Sequence, residues 1–219
     1  MPDIKYNDTI EKIEILEMLH KLPSHFYHMK VKDFYNSGIA LYTKRGKSLI
    51  VYDKGIETFS KKSHFNGFSW YNNILRVEYR YTKNNIRTIA KSNNIKPTLI
   101  EFVTEEMYFK YFIEEVARYF FKSDFRDLKT TKKIIRDNSN YSPSLKKKLL
   151  DYVNTISKSN FDNVAKKLSY NTIKQYNKSL VALNLNPLTT LSSNYLDGIY
   201  KKIVEKSKDY FGEENKNVK

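Results

Sequence analysis

LIVYDKGIE, residues 49–57, and ILRVEYRY, residues 74–81, are the two segments from which the expected fold follows. A period of two puts Leu49 and Val51 on one face of the first strand, and Ile50, Tyr52 and Lys54 on the other. The second segment likewise has one apolar face, and such a face is typical of a strand that packs on a core. The opposite face is expected to carry charged side chains and a tyrosine, namely Tyr52, Lys54, Arg76, Glu78 and Arg80, with Glu57 just past the end of the first strand. Together they are residue types that a phosphodiester site uses.

Another apolar run, IALYTK at residues 39–44, precedes the first of these strands and is joined to it by the short polar segment RGKS. Two apolar runs separated by such a turn predict a β-hairpin. We expect strands 39–44, 48–54 and 74–81 to form one antiparallel sheet. In that sheet Tyr52 and Glu78 would lie on the same face.

Helices are predicted on both sides of the sheet segments. DTIE at residues 8–11 is typical of a helix start, and apolar residues then recur at helical spacing as far as Leu22. Thr104, followed by two glutamates, predicts a long helix that runs to about Phe121. That helix is rich in Tyr and Phe on more than one face, so we interpret its aromatic residues as core packing rather than as a platform for stacking bases.

A basic, polar segment separates two regions of different composition. We place a domain boundary there: residues 1–121 are predicted to form a sheet-plus-helix domain, residues 122–142 a basic connector and residues 143–219 a helical DNA-binding region. The expected fold class is α+β, with a small antiparallel sheet covered by helices and followed by a helix-turn-helix-like region.

Two consecutive helices predicted in the C-terminal region, residues 160–168 and 171–183, have the pattern of a helix-turn-helix. The second leaves four polar side chains outside the apolar positions, namely Lys174, Gln175, Asn177 and Lys178. We predict that these four residues contact DNA. The same pattern also suits an ordinary solvated helix.

The chain carries 39 Lys and Arg against 24 Asp and Glu, a formal net charge of +15. Such a surplus favours a polyanionic partner, because basic side chains displace counterions from a phosphate backbone. Single-stranded or origin DNA is the expected partner. Two alternatives stay open. In the first, the codon preferences of an AT-rich genome account for the lysines, which would be spread over a solvated surface. In the second, the chain is an RNA-binding protein.

Cysteine is absent, so disulfides and thiolate metal sites are excluded. The apolar runs are far shorter than a membrane span, and the first residues, MPDIK, lack the apolar centre of a signal peptide. We therefore expect a soluble cytoplasmic protein without a membrane partner.

Three short motifs occur in order along the chain. They are Y-x-K-x-x-E at residues 52–57, LRVE at residues 75–78, and LSYNTIKQYNKSL at residues 168–180, after which NLN follows at residues 184–186. In order and spacing they resemble the rolling-circle replication initiators of filamentous phages and related plasmids. The resemblance covers most of the chain, from about Ile39 to Leu188.

In that family the tyrosine of the first motif cuts one DNA strand, stays joined to the 5′ phosphate and leaves a 3′ hydroxyl. The resemblance assigns this catalytic role to Tyr52, and Lys54 would bind the phosphate. Glu57 and Glu78 would accept the proton or hold a divalent cation, Mg²⁺ or Mn²⁺.

Arg76 and Arg80, on the same predicted strand as Glu78, are expected to bind DNA. A plainer interpretation is that Glu57 and Arg76 form ion pairs at strand ends. The resemblance also implies a bacterial host cell, where host replication proteins are further potential partners.

The family relies on a His-hydrophobic-His pair that directs both imidazoles at one metal, and this sequence has no such pair. His25 and His28, in the sequence HFYH, have the wrong spacing, because in a strand they would face opposite ways. The chain resembles the rear part of an initiator. Two functions therefore stay open: a tyrosine-dependent single-strand endonuclease and strand transferase, or a shortened form that binds DNA or regulates replication without cutting and needs no cofactor.

Overall fold

The computed structural model describes residues 3–5, 9–22, 25–26, 29–33, 37–43, 46–61, 73–191 and 195–214. Its architecture is mixed α+β, as the sequence predicts. Within these residues, none of the helices is both long enough and apolar enough to cross a membrane.

The large sheet contains six strands, which are β1 (Asp3–Lys5), β2 (His25–Phe26), β3 (Met29–Asp33), β4 (Gly38–Thr43), β5 (Ser48–Asp53) and β6 (Ile74–Arg80). They pair antiparallel in the order β1-β6-β5-β4-β3-β2. The predicted pairing of the three sequence segments is confirmed, because they form the neighbouring strands β4, β5 and β6. A small second sheet pairs β7 (Phe125–Arg126) with β8 (Tyr195–Leu196).

One face of the large sheet is built from apolar residues that alternate along its central strands. Those that are fully buried are Ile39, Leu41, Leu49, Val51, Leu75 and Val77. Helix α1 (Thr9–Leu19) contacts β4 and buries Ile15, Met18 and Leu19. Each such side chain contributes about 1.5–3 kcal/mol when it leaves water. A slip of one residue would move this set to the other face, where it would displace Ala40, Ile50 and Glu78, so packing on the two faces holds the strands in register.

The other helices are α2 (Lys54–Lys61), α3 (Lys83–Ser92), α4 (Leu99–Phe102), α5 (Glu105–Tyr108), α6 (Glu114–Phe120), α7 (Leu128–Asp137), α8 (Pro143–Lys158), α9 (Phe161–Ala165), α10 (Tyr170–Val181) and α11 (Ile199–Glu214). A π-helical segment, Phe109–Ile113, joins α5 to α6 and makes them one continuous helix.

The long helix predicted after Thr104 is this α5–π–α6 unit. Thr104 caps it, because its side-chain oxygen accepts a hydrogen bond from the Met107 backbone N–H at 3.4 Å. The helix ends where Phe121 takes a positive φ of 60°. Tyr119, Phe120 and Phe121 are buried in the hydrophobic core, so the prediction of core packing holds for these three, whereas Tyr108, Phe109, Tyr111 and Phe112 are only partly buried.

Residues 122–142, predicted as a basic connector, contain the strand β7 and the helix α7. The Asp127 side chain caps α7 by accepting a hydrogen bond from the Thr130 backbone N–H at 2.9 Å. Phe125 and Ile135 are buried in the same hydrophobic cluster as residues of the large sheet. This segment is therefore part of the packed structure, and the division of the chain into two domains stays a prediction.

The predicted helix pair of the C-terminal region corresponds to α9 and α10, both of which pack on α8 through aromatic rings. The ring centroid of Tyr152 lies 6.2 Å from that of Phe161 and 5.4 Å from that of Tyr176, both at steep angles. The Phe161 backbone N–H donates a 3.0 Å hydrogen bond to the Lys21 carbonyl at the end of the first helical region. That bond ties the C-terminal helices to the N-terminal part of the fold.

Candidate functional site

Tyr52 lies near the end of β5, on the sheet face opposite the apolar core. In the pairing of β5 with β6, Tyr52 is directly opposite Arg76, and Ile50 is opposite Glu78. Directly opposed residues of antiparallel strands project to the same side, so these side chains share one face. The Tyr52 hydroxyl donates a 2.8 Å hydrogen bond to Glu78 Oε1, which confirms the predicted placement of the two groups.

Glu78 is almost fully buried, with 5% of its surface exposed. Its second oxygen, Oε2, accepts hydrogen bonds from Arg80 Nε at 3.0 Å and Arg80 Nη2 at 2.6 Å. Burial by itself raises the pKa of Glu78, but hydrogen bonds from Arg80 and Tyr52 and the positive charges of Arg80 and Arg76 outweigh it and leave the pKa below its ordinary value. Glu78 is therefore a carboxylate at neutral pH.

The phenol of Tyr52 is held in its protonated form. Burial raises its pKa most, and the hydrogen bond to Glu78 and the negative charges of Glu78 and Glu57 raise it further, whereas Arg76 lowers it. The net effect is a pKa of about 12.

Lys54 does not lie on a strand face beside Tyr52, and this prediction is wrong. The strand ends at Asp53, whose Oδ1 accepts a hydrogen bond from the Ile56 backbone N–H at 3.1 Å and begins α2. Lys54 is therefore the first residue of a helix, and its ammonium group pairs with Glu57 one turn along. This ion pair agrees with the plainer interpretation of Glu57 as a member of an ion pair near the strand end.

A buried ion pair, which the sequence interpretation missed, supports the backbone next to Tyr52. Lys12 Nζ of α1 lies 2.5 Å from Asp53 Oδ2, and each residue is 4% exposed. Asp53 thus caps α2 with one oxygen and binds α1 with the other. A signal was present, because the alternation of β5 places Asp53 on the apolar face, where a carboxylate requires a partner.

Gly38 leaves room for the backbone of Tyr52. The two residues are directly opposed across β4 and β5, and a Cβ atom on Gly38 would lie 2.6 Å from Tyr52 Cβ. No ordinary side chain fits at that distance. The glycine therefore allows β4 to approach the strand that carries the tyrosine.

The predicted metal ligands Glu57 and Glu78 are both engaged by basic side chains, Lys54 and Arg80 respectively. The part of the chain that the structure describes contains no group of three or more His, Asp or Glu side chains arranged to hold a metal ion. Of the histidines considered as ligands, His25 lies in β2 and His28 lies outside the described residues.

Helix α10 carries the four residues predicted to contact DNA. Lys174, Gln175 and Lys178 are exposed, as the prediction requires. Asn177 differs, because it is 3% exposed and its Oδ1 accepts a 2.5 Å hydrogen bond from the Tyr152 hydroxyl. Its position on the inward side of the helix makes it a packing residue, and Asn177 is withdrawn from the predicted DNA-binding set.

Comparison of the chain with known proteins found no match to a protein-family model, a curated protein or a solved structure. The resemblance to rolling-circle initiators therefore rests on the three short motifs alone.

Proposed function

We propose that this chain is a DNA replication protein that nicks and rejoins one DNA strand, with Tyr52 as its nucleophile. The observation that carries the proposal is the 2.8 Å hydrogen bond from the Tyr52 hydroxyl to Glu78, on a sheet face that also holds Arg76 and Arg80. Phosphodiester transfer needs a hydroxyl nucleophile, a group that receives its proton and cations that bind the phosphate. This sheet face supplies all three.

In the proposed reaction the Tyr52 oxygen attacks the phosphorus atom while Glu78 Oε1 receives the phenolic proton. The bond from phosphorus to the 3′ oxygen breaks, and that oxygen leaves with a proton from solvent as a 3′ hydroxyl. The 5′ phosphate stays joined to Tyr52 until a 3′ hydroxyl attacks it and reverses the step. Arg76 and Arg80 would bind the phosphate oxygens whose charge increases during the attack.

The resemblance implies a divalent cation, Mg²⁺ or Mn²⁺, held by Glu57 and Glu78. Such cations take several oxygen ligands. Because Lys54 and Arg80 already neutralise the two carboxylates, the described residues do not fit a ready-made cation site.

The proposed partners are single-stranded or origin DNA and host replication proteins, in the cytoplasm of a bacterial host. The net charge of +15 supports the nucleic acid. A second candidate function is a shortened initiator that binds DNA without cutting it. The observation that favours it is the pKa of about 12 for Tyr52, which leaves very little phenolate at neutral pH.

A covalent-adduct assay distinguishes the two functions. The protein is incubated with labelled single-stranded origin DNA and Mn²⁺, and the adduct is resolved on a denaturing gel. Tyr52→Phe removes the nucleophile, and Tyr42→Phe is the matched control because Tyr42 lies on the same sheet face and is 38% exposed.

We expect an adduct with the wild type and Tyr42→Phe and none with Tyr52→Phe. An adduct that persists in Tyr52→Phe would contradict the assignment of the nucleophile. Absence of any adduct, with DNA binding intact, would support the non-cutting form.

A further inference from the structure

An apolar groove of about 340 Å³ lies beyond the C-terminal end of β6, between α3, the α4–α5 segment and the π-helical segment. Its wall is mainly aromatic and includes Tyr79, Tyr81, Phe102, Tyr108, Tyr111 and Phe112. A groove of this size and composition is in the range of pockets that bind small organic groups. It is separate from the Tyr52 site, because Tyr79 and Tyr81 project from the face of β6 opposite Glu78 and Arg80.

The aromatic rings in this groove are only partly used for core packing. The rings of Tyr79 and Tyr81 contact each other at a tilt of 46°, with centroids 4.8 Å apart, and those of Tyr108 and Phe112 at a tilt of 31°, with centroids 5.0 Å apart. All four are only partly buried, in contrast to the fully buried Tyr119–Phe121 segment of the same long helix. These four residues therefore line the groove without being enclosed in the core.

Two lysines lie beside rings of the groove, and the Tyr79 hydroxyl donates a 3.2 Å hydrogen bond to Glu115 Oε2. Lys47 Nζ lies 5.3 Å from the ring centroid of Tyr81, and Lys110 Nζ lies 5.5 Å from that of Tyr111. Helix α3, which forms one wall, contains no acidic residue and exposes Lys83, Arg87 and Lys91. An aromatic groove with a basic rim is complementary to a nucleotide, which combines an aromatic base with an anionic phosphate.

We infer that this groove binds an unpaired base of single-stranded DNA, whose phosphates follow the basic side of α3. The inference rests on the proposed function in one respect, since single-stranded DNA is the partner proposed there.

The test compares two oligonucleotides of about 12 nucleotides, within the usual span of single-strand sites. One is oligothymidine and the other is an abasic strand with the same phosphate charge. Dissociation constants are measured by fluorescence anisotropy for the wild type, Phe102→Leu and Tyr111→Leu, which remove a ring but no charge. Tyr210→Leu is the control, because Tyr210 is a 60% exposed tyrosine on α11. Thermal unfolding verifies that each variant is folded.

We expect the wild type to prefer oligothymidine over the abasic strand by roughly 5- to 150-fold, the usual range for one stacked base. The groove variants should lose most of that preference, and Tyr210→Leu should keep it. Equal affinity of the wild type for both strands would overturn the inference, whether or not the variants fold. A preference that survives in both groove variants would also overturn it and would leave the exposed Leu99, Ile100 and Val103 beside the groove as a surface for an apolar protein partner.

These outcomes are independent of strand cleavage. Base preference without any Tyr52 adduct would leave the groove assignment standing and reject the nicking activity. An adduct without base preference would reject the groove assignment and leave the nicking activity standing.

Discussion

At the scale of single residues, Tyr52 and Glu78 form a pair in which each group fixes the charge of the other. Glu78 and burial hold the phenol protonated, and Arg80 and Tyr52 hold Glu78 ionised. The raised pKa of Tyr52 contributes stability below pH 10 that is lost as the pH rises through about 12. The lowered pKa of Glu78 contributes stability above about pH 4.5 that is lost as the pH falls through its folded-state value.

Glu78→Gln should lower the pKa of Tyr52 from about 12 toward its ordinary value of 10.0, because it removes the carboxylate that stabilises the neutral phenol. The measurement is an NMR titration of protein labelled at the tyrosine Cζ carbon, with the signal assigned by its loss in Tyr52→Phe. Glu205→Gln, at an exposed position on α11, is the control and should not move it. An unchanged Tyr52 titration in Glu78→Gln would show that the two groups do not interact in solution.

The pair of Lys12 and Asp53 is the other residue-scale feature, and both members are almost completely buried. Lys12→Met leaves an unpaired carboxylate in the core, so we expect it to lower the free energy of unfolding by about 3–5 kcal/mol. The measurement is urea denaturation, with the midpoint compared at equal slope.

The double variant Lys12→Met/Asp53→Asn should lose much less stability, because it removes the uncompensated charge and an asparagine still caps α2. If the double variant were as unstable as Lys12→Met, packing around Lys12 rather than the ion pair would account for the loss.

At the scale of elements, α10 has one face that packs against the protein and one face that is exposed. Tyr176, Asn177 and Leu180 point inward at helical spacing, whereas Lys174 and Lys178 lie one turn apart on the exposed side. The polar character of Asn177 predicted an outward position, but the 3.6-residue period assigns it to the apolar side. There it accepts the hydrogen bond of a buried tyrosine.

Lys174→Ala and Lys178→Ala should each weaken duplex DNA binding and leave thermal unfolding unchanged. Asn177→Ala should instead lower the free energy of unfolding by about 1–3 kcal/mol, because the buried Tyr152 hydroxyl loses its acceptor. Anisotropy with a labelled duplex and thermal unfolding by circular dichroism measure the two effects. Duplex affinity unchanged in both lysine variants would show that α10 serves packing only.

At the scale of the whole molecule, the surplus of positive charge is spread over both halves of the chain. Lys47 and Lys110 lie beside rings of the groove, α3 exposes Lys83, and the exposed side of α10 carries Lys174 and Lys178. A strand that contacts both regions would neutralise several phosphates.

Single-stranded DNA binding should therefore weaken steeply with salt, with a log–log slope of about 0.7 for each phosphate neutralised. Anisotropy titrations over a range of salt concentrations measure this slope. Weak binding that does not change with salt would reject the nucleic-acid partner, and with it both proposed functions.

The sequence alone was enough to predict the features that depend on neighbouring residues or on the total composition. The alternation of β5 and β6 predicted their pairing and the shared face of Tyr52 and Glu78, because a period of two reports which side of a strand is buried. The net charge of +15 needs no fold at all. The helix that begins at Lys54 also has a local cause, because Asp53 is a typical helix-capping residue. It was not predicted, because the period of two in β5 was extended past Asp53 to Lys54.

The partners of buried polar groups required the three-dimensional fold. Lys12 lies in a different element from Asp53, and Asn177 is a whole helix away from Tyr152, so no local pattern connects either pair. Periodicity shows that a side chain points inward, but it carries no information about which distant residue meets it there. That meeting depends on how α1 packs on the sheet and how α10 packs on α8, which is a property of the assembled core.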